Sequence, residues 1–143
     1  TTMANILHDE GEQYLLQAAL SEEQTPPANF YLGLCNDTLT KTDALANIAN
    51  EPSGDGYARQ EIPSTGVGWT VAKSGDYYRA TGTQETFTAY GGNWGSLNTW
   101  FIATSADGTG KLIASGDIDP ARTIADGDSL LVTPILTFAA AAA

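Results

Sequence analysis

The chain has 143 residues, 42% of them hydrophobic, and a single cysteine, which is enough for one domain with its own core and leaves no intramolecular disulfide to support it. Seventeen acidic against six basic residues give a net charge of −11, which repels phosphate backbones, so nucleic acid is not an expected partner. No stretch approaches the roughly 18 apolar residues of a membrane span, and no basic region followed by an apolar run opens the sequence, so a soluble, unsecreted chain without a membrane partner is expected.

Residues 4–20 are predicted to be helical, because Leu7, Tyr14 and Ala18, with Leu15 and Ala19 beside them, recur at three- and four-residue spacing. Asp9, Glu10 and Glu12 suit a helix start, Gly11 weakens the middle, and Pro26-Pro27 forbids continuation. The apolar run 30–35 reads as a first strand ending at Asn36-Asp37, with Cys35 as a buried strand thiol. A long connection over 38–50 carries helix-start residues Thr42 and Asp43 ahead of Ala44-Leu45-Ala46, and 51–56 is dense in turn residues. Gly54 and Gly56 let the backbone turn before Tyr57, Arg59 is placed to pair with an acid that closes the connection, and Pro63 puts the strand 57–62 at an edge or an end.

From Gly66 onward short strands alternate with turn clusters, at 69–73, 77–81, 84–89, 99–104, 112–118 and 130–138. Period-two alternation points Trp69 and Val71, Phe87 and Ala89, Trp100 and Ile102, Leu112 and Ala114, and Leu130 and Val132 inward. Turns are expected at 105–110 and 126–128, with Asp-Gly supplying positive φ. The fold class that follows is mainly β: an antiparallel β-sandwich, jelly-roll-like, preceded by an N-terminal α-helix. Residues 1–25 form the helical segment, 26–138 the sandwich and 139–143 an alanine tail.

No catalytic, metal or cofactor site is expected. His8 is the sole histidine and reads as a partly exposed helical residue, and no Gly-x-Ser-x-Gly elbow accompanies it. Asp117 and Asp119 share a strand face, as any i, i+2 pair does, and read as a solvated strand end before Pro120. Gly108-Thr109-Gly110-Lys111 lacks the upstream glycine of a phosphate loop, and Leu112 stands where Ser or Thr is needed. The zinc and twelve-residue calcium patterns have no match, and only the turn acids Asp107 and Asp126 suit weak calcium binding. Trp69, Tyr77, Tyr78, Tyr90, Trp94 and Trp100 are the residues for stacking on sugars, although Trp69 and Trp100 sit at core positions, which leaves the loop 90–94 exposed.

The order of motifs is itself informative. Phe30-Tyr31-Leu32-Gly33-Leu34 is followed by Asp43-Ala44-Leu45-Ala46, then by Gly56-Tyr57-Ala58-Arg59-Gln60. Asn93-Trp94-Gly95-Ser96-Leu97, Trp100-Phe101-Ile102-Ala103-Thr104, Leu112-Ile113-Ala114-Ser115-Gly116, Arg122-Thr123-Ile124 and Gly127-Asp128-Ser129-Leu130 complete the series. Over residues 4–138 this resembles a family of small tailed-bacteriophage virion proteins, variously labelled head decoration (cement) or tail-fibre proteins. The resemblance implies a non-enzymatic virion component with a β-sandwich body and no catalytic residues. The expected function is a capsid decoration protein that binds and stabilises the head shell. Its partners would be the major capsid protein and further copies of itself, and its place the capsid surface of a virion assembled in the host cytoplasm. A tail-fibre or tail adaptor component and a carbohydrate-binding module are the alternatives. Ile6, Leu7 and Tyr14 are candidate partner-binding residues, since a helix outside a closed sandwich has an apolar stripe to bury, and Trp94, bracketed by glycines, is a fourth.

Overall fold

The computed structural model describes residues 5–137. Its elements are β1 (Asn5–Leu7), α1 (Asp9–Leu16), β2 (Asn29–Cys35), β3 (Gln60–Pro63), β4 (Trp69–Ser74), β5 (Tyr77–Gly82), β6 (Glu85–Thr88), β7 (Gly95–Ala103), β8 (Leu112–Ile124), β9 (Ser129–Val132) and β10 (Ile135–Thr137). All the pairings are antiparallel. A five-stranded sheet runs β1-β8-β7-β2-β3, and two smaller sheets, β10-β5-β4 and β6-β9, complete the sandwich. The expected mainly β, antiparallel sandwich is what the chain forms.

Alternation divides the side chains of the large sheet between two cores. Leu32, Leu34, Trp100, Ile102 and Ala114 lie on one face, in a cluster with Phe87, Leu130 and Val132 from the β6-β9 pair. Cys35, Phe101, Ala103 and Leu112 belong to the other face, where Leu39, Leu45 and Ile48 of the connection between β2 and β3 cover them. The two aromatics of β7 are each accommodated by a glycine directly opposite: Trp100 stands across from Gly116 and Phe101 across from Gly33. A Cβ at Gly116 would lie 2.4 Å from the Trp100 ring, and one at Gly33 would lie 2.3 Å from the Phe101 ring. Those glycines are holes in the sheet that the rings fill.

Several boundaries differ from expectation, each for a physical reason. The helix predicted over 4–20 begins only at Asp9, because Asn5, Ile6 and Leu7 pair with Gly116, Ser115 and Ala114 as an edge strand; residue 4 lies outside the described residues. The N-terminal segment is thus part of the sheet rather than a helix outside it. Gly11 has its reason in packing, since a Cβ there would come within 2.1 Å of the Ile113 carbonyl oxygen where α1 crosses β8. The helix passes into a π-helical turn, Gln17–Ser21, that ends at Glu22 with φ +56°, before the Pro26-Pro27 stop is reached. The strand predicted over 130–138 is broken by Pro134, so that β9 pairs with β6 and β10 with β5, and Phe138 lies outside the described residues. Strand β8 does not end before Pro120: the register against β7 jumps between Asp117 and Arg122, and pairing resumes to Ile124. Asp117 and Asp119 are exposed, as expected. Positive φ occurs at Gly127 but not at Gly108, where the Asp107 carboxylate instead accepts from the backbone N–H and hydroxyl of Thr109.

The connection between β2 and β3 is locked by Arg59, whose side chain is only 7% exposed. Its Nε and Nη2 donate to the two oxygens of Glu51, both at 2.8 Å, and Nη1 donates to the carbonyls of Ser105 and Asp107 at 2.9 and 2.6 Å. The guanidinium also lies 5.0 Å from the centroid of the Phe101 ring. Burial opposes the charge, yet the Glu51 carboxylate outweighs it and holds the Arg59 pKa above its usual value. Tyr57 extends the lock by donating to Glu51 at 2.6 Å and accepting from the Leu34 N–H at 2.9 Å. The acid pairing expected of Arg59 is present, with Glu51 as the acid.

His8, expected to be partly exposed, is fully buried just ahead of α1. Its Nε2 shares a 2.8 Å hydrogen bond with the Ser115 hydroxyl of β8, and its Nδ1 faces no hydrogen-bond partner among the described residues. Desolvation pushes the imidazole pKa below its ordinary value, against smaller upward pulls from the carbonyls of Thr40 and Lys41 and the carboxylates of Asp43 and Asp9. The folded state therefore refuses a proton that the unfolded chain accepts near pH 6.5, so stability is unaffected by this group above about pH 6.5 and falls as the pH drops below it.

Arg59→Ala should cost about 3–5 kcal/mol in urea unfolding, because it leaves a partly buried carboxylate unpaired, and Arg59→Lys should recover only part of that because an ammonium cannot make the fork; a loss below about 1 kcal/mol would mean the pair behaves like a surface bridge. His8→Gln should flatten the decline of the thermal midpoint from about pH 6.5 downward, and an unchanged slope would assign that decline to other groups.

Candidate functional site

The four residues expected to meet a partner are not brought together. Ile6 and Leu7 are half-buried in β1, and Leu7 packs on the main core. Tyr14 is buried, with its hydroxyl donating to the Thr25 carbonyl at 2.9 Å. Trp94 stands at the far end of β8, where its backbone N–H donates to the Ile124 carbonyl. Its indole is held edge-on to Tyr57 at a 5.3 Å centroid distance, and Nε1 donates to the Asp55 carbonyl at 2.9 Å. That carbonyl is available because Gly54, Asp55 and Gly56 all take positive φ, at 78°, 52° and 81°. The same oxygen accepts from the Tyr90 N–H, and the Asp126 carboxylate accepts from the Gly91 N–H. The loop is therefore rigid. Trp94 is its interior and Tyr90, 74% exposed, its outward ring.

None of the three tryptophans is fully exposed. Trp100 is core, as expected, Trp94 is half-buried, and Trp69 is half-buried edge-on to Phe30 with centroids 6.2 Å apart. The remaining chemistry-bearing groups are employed inside the fold. The Ser115 hydroxyl beside His8 is only 2% exposed, so no substrate carbonyl has room to reach it and the pair acts as a pin between the helix start and β8. Burial pushes the Cys35 thiol up to about 12. Burial alone would raise the Glu10 carboxyl, but N–H groups of Leu112 and Leu45 and the Lys111 ammonium outweigh it and hold the pKa below its ordinary value. The turn acids Asp107 and Asp128 accept local backbone N–H groups, as Asp126 does, and among the described residues no three His, Cys, Asp or Glu side chains are grouped to hold a metal ion.

What the sequence did not single out is a groove of about 670 Å³ between the N-terminal helical segment and β4, walled by Tyr14, Leu15, Ala18, Phe30, Trp69 and Val71. Val71, expected to point into the core, is 69% exposed, because β4 is an edge strand with nothing stacked over its outer part. The β4-β5 hairpin is exposed on both faces from Thr70 to Tyr78 and stands out as an arm. Among the described residues eight large hydrophobic side chains are exposed, and of these Val71 lines the groove, Tyr77 and Tyr78 lie on the arm, Val67 precedes β4, and Leu16 and Leu20 lie on the helical segment. The arm also holds Lys73 and Arg79, which like Arg122 of β8 make no salt bridge among the described residues, whereas Lys41, Arg59 and Lys111 are paired with acids. Two cations on fourteen residues of a strongly acidic chain were a readable signal.

Residues 7–136 match the family described as podophage GP4 fiber I protein gp80. That span reaches from the last residue of β1 into β10 and so includes every sheet of the fold. No curated protein matches the chain. With all three sheets of the sandwich and the Arg59 lock inside the matched region, the chain belongs to the podophage GP4 fiber I protein gp80 family and is a structural protein of bacteriophage.

Proposed function

We propose that this chain is a building module on the outside of a podophage particle, one component of a fibre, held in place by contacts with other virion proteins rather than by turning over a substrate. The observation that carries this reading is the family description, which names a fibre protein and matches residues 7–136. The way the fold uses its reactive groups supports it: the histidine, the cysteine and several carboxylates are committed to internal contacts. For the attachment surface we assign the end that carries Tyr90 and Trp94. A large ring presented by a backbone already clamped at Asp55 and Asp126 loses little freedom on docking, which is the condition for an effective anchor.

A second reading, the shell-decorating cement protein with the major capsid protein as partner, is favoured by the short body without a lengthwise repeat. Copy number separates the two. Densitometry of purified particles should give far fewer copies of this chain than of the major capsid protein if it belongs to a fibre, and a stoichiometry comparable to the capsid protein's overturns that placement in favour of the shell. For the attachment surface, Tyr90→Ala should yield particles depleted of the protein while the purified variant keeps its thermal midpoint; full incorporation would show that the anchor lies elsewhere.

A further inference from the structure

We propose that the N-terminal element, β1 together with α1, is an acid-released latch: a proton taken up by His8 frees the element from β8 while the sandwich stays folded. Apolar burial holds this element weakly. From Asn5 to Ser21 only His8, Gly11 and Tyr14 are buried, and of the buried side chains of the main core the element supplies Tyr14 alone. Strand β1 adds three residue pairs at the rim of the large sheet. An element at an edge, with few enclosed side chains, opens at a lower cost than the core it rests on.

His8 stands where this element joins the sheet. Its backbone N–H donates to the Ile113 carbonyl at 3.0 Å, and its ring shares a hydrogen bond with the hydroxyl of Ser115, two residues further along β8. Nδ1 is shut off from water and faces no acceptor among the described residues, so a second ring proton buries a charge with one N–H unsatisfied. The surrounding acids are engaged elsewhere. On α1, Asp9 and Glu12 hold Lys41, and Glu10 holds the N–H groups of Leu45 and Leu112 and the Lys111 ammonium. In the connection after β2, Asp43 accepts from the N–H and hydroxyl of Thr40. Asp117, two residues beyond Ser115 on β8, is exposed, and β1 carries no titratable side chain.

Release returns the imidazole to water and to its ordinary pKa of 6.5, whereas burial holds it lower in the closed latch. The open form therefore binds more protons than the closed one. Opening is independent of His8 well above pH 6.5 and rises by at most about tenfold for each pH unit below it, until the closed form's own pKa is passed. Glu10 acts in the same direction at lower pH. Its pKa lies below 4.5 in the closed form, so its hold is whole above that value and is lost as the pH falls further. The response between pH 6.5 and about pH 5 thus belongs to His8. Release also changes what the surface offers. Tyr14, Leu15 and Ala18 leave the wall of the groove, Phe30 and Trp69 lose that cover, and Ala114, Ser115 and Gly116 become an open strand edge. The latch depends on neither the fibre nor the shell placement of the chain.

Hydrogen exchange of the full chain, read by mass spectrometry between about pH 7.5 and pH 5 and corrected for the intrinsic pH dependence of exchange, tests it. The amides of β1 and α1 should be less protected than those of β7 throughout, with protection level above pH 6.5 and falling by about tenfold per pH unit below it. The arm, which opens without moving His8, should show no such trend. His8→Gln, which cannot take up the proton, should abolish the fall. In the unaltered protein the ring-carbon resonance of the single histidine should titrate with a midpoint below 6.5. A midpoint at or above 6.5, protection of β1 and α1 that ignores pH or equals that of β7 at pH 5, or the same fall in His8→Gln would each overturn the latch.

Discussion

The structure turns on a charge that cannot be given up. Arg59 stays protonated at any pH the fold survives, so once its guanidinium is enclosed the surroundings must supply acceptors in the plane of the fork. Glu51 fills one side and two carbonyls of the loop after β7 fill the other. Two segments far apart in sequence are thereby set in position by one side chain. The contact reaches the sheet through Phe101, whose ring lies in the hole that Gly33 leaves, and through Tyr57, whose hydroxyl ties Glu51 to the backbone of β2. The outer core of Leu39, Leu45 and Ile48 lies under the connection that this closure fastens at its far end, together with the Asp37 carboxylate on the N–H groups of Ala49 and Asn50.

The acidity of the chain takes on a second meaning in this light. Glu10, Asp37, Asp43, Asp107, Asp126 and Asp128 each accept one or more backbone N–H groups that lie outside the ladders. A carboxylate is the shortest acceptor that can close a turn without help from another strand, and charge-assisted bonds of this kind are stronger than neutral ones. Much of the net charge is thus the by-product of a β protein with long connections whose loops are stapled by side chains rather than by secondary structure. The arm is where this pattern lapses. Its turn at Gly75-Asp76 is held by the β4-β5 ladder, and it carries two cations, Lys73 and Arg79, against one acid, Asp76.

The parts of the fold that could be read in advance are those where one face of a strand is buried. Trp100 and Ile102, Phe87 and Ala89, and Leu130 and Val132 alternate because a core lies on one side of each, and each strand is where the alternation puts it. Trp69 and Val71 carry the same pattern, yet the cover ends between them: Trp69 packs on the main core and edge-on to Phe30 while Val71 stands in water, and period two alone does not distinguish a covered position from an uncovered one. His8 was misplaced for a related reason: a helical pattern through Leu7 and Tyr14 passes equally through a short edge strand and a helix that begins two residues later, and only the pairing with β8 decides. The Arg59 closure was visible from its glycine-rich approach, although Glu51 could not be picked from seventeen acids by spacing. Trp94 was legible as a special residue but not as an inward one, since the acceptor for its indole is a carbonyl released by the backbone twist at Asp55.

Cys35 sits at the end of β2 with no exposure and a thiol pushed up to about 12, so at neutral pH it is neither reachable nor nucleophilic. To thiol reagents the folded molecule is silent. Any cysteine placed on its surface becomes a unique chemical address without first removing the native one, and a gold cluster or fluorophore attached there can mark where each copy stands in an intact particle.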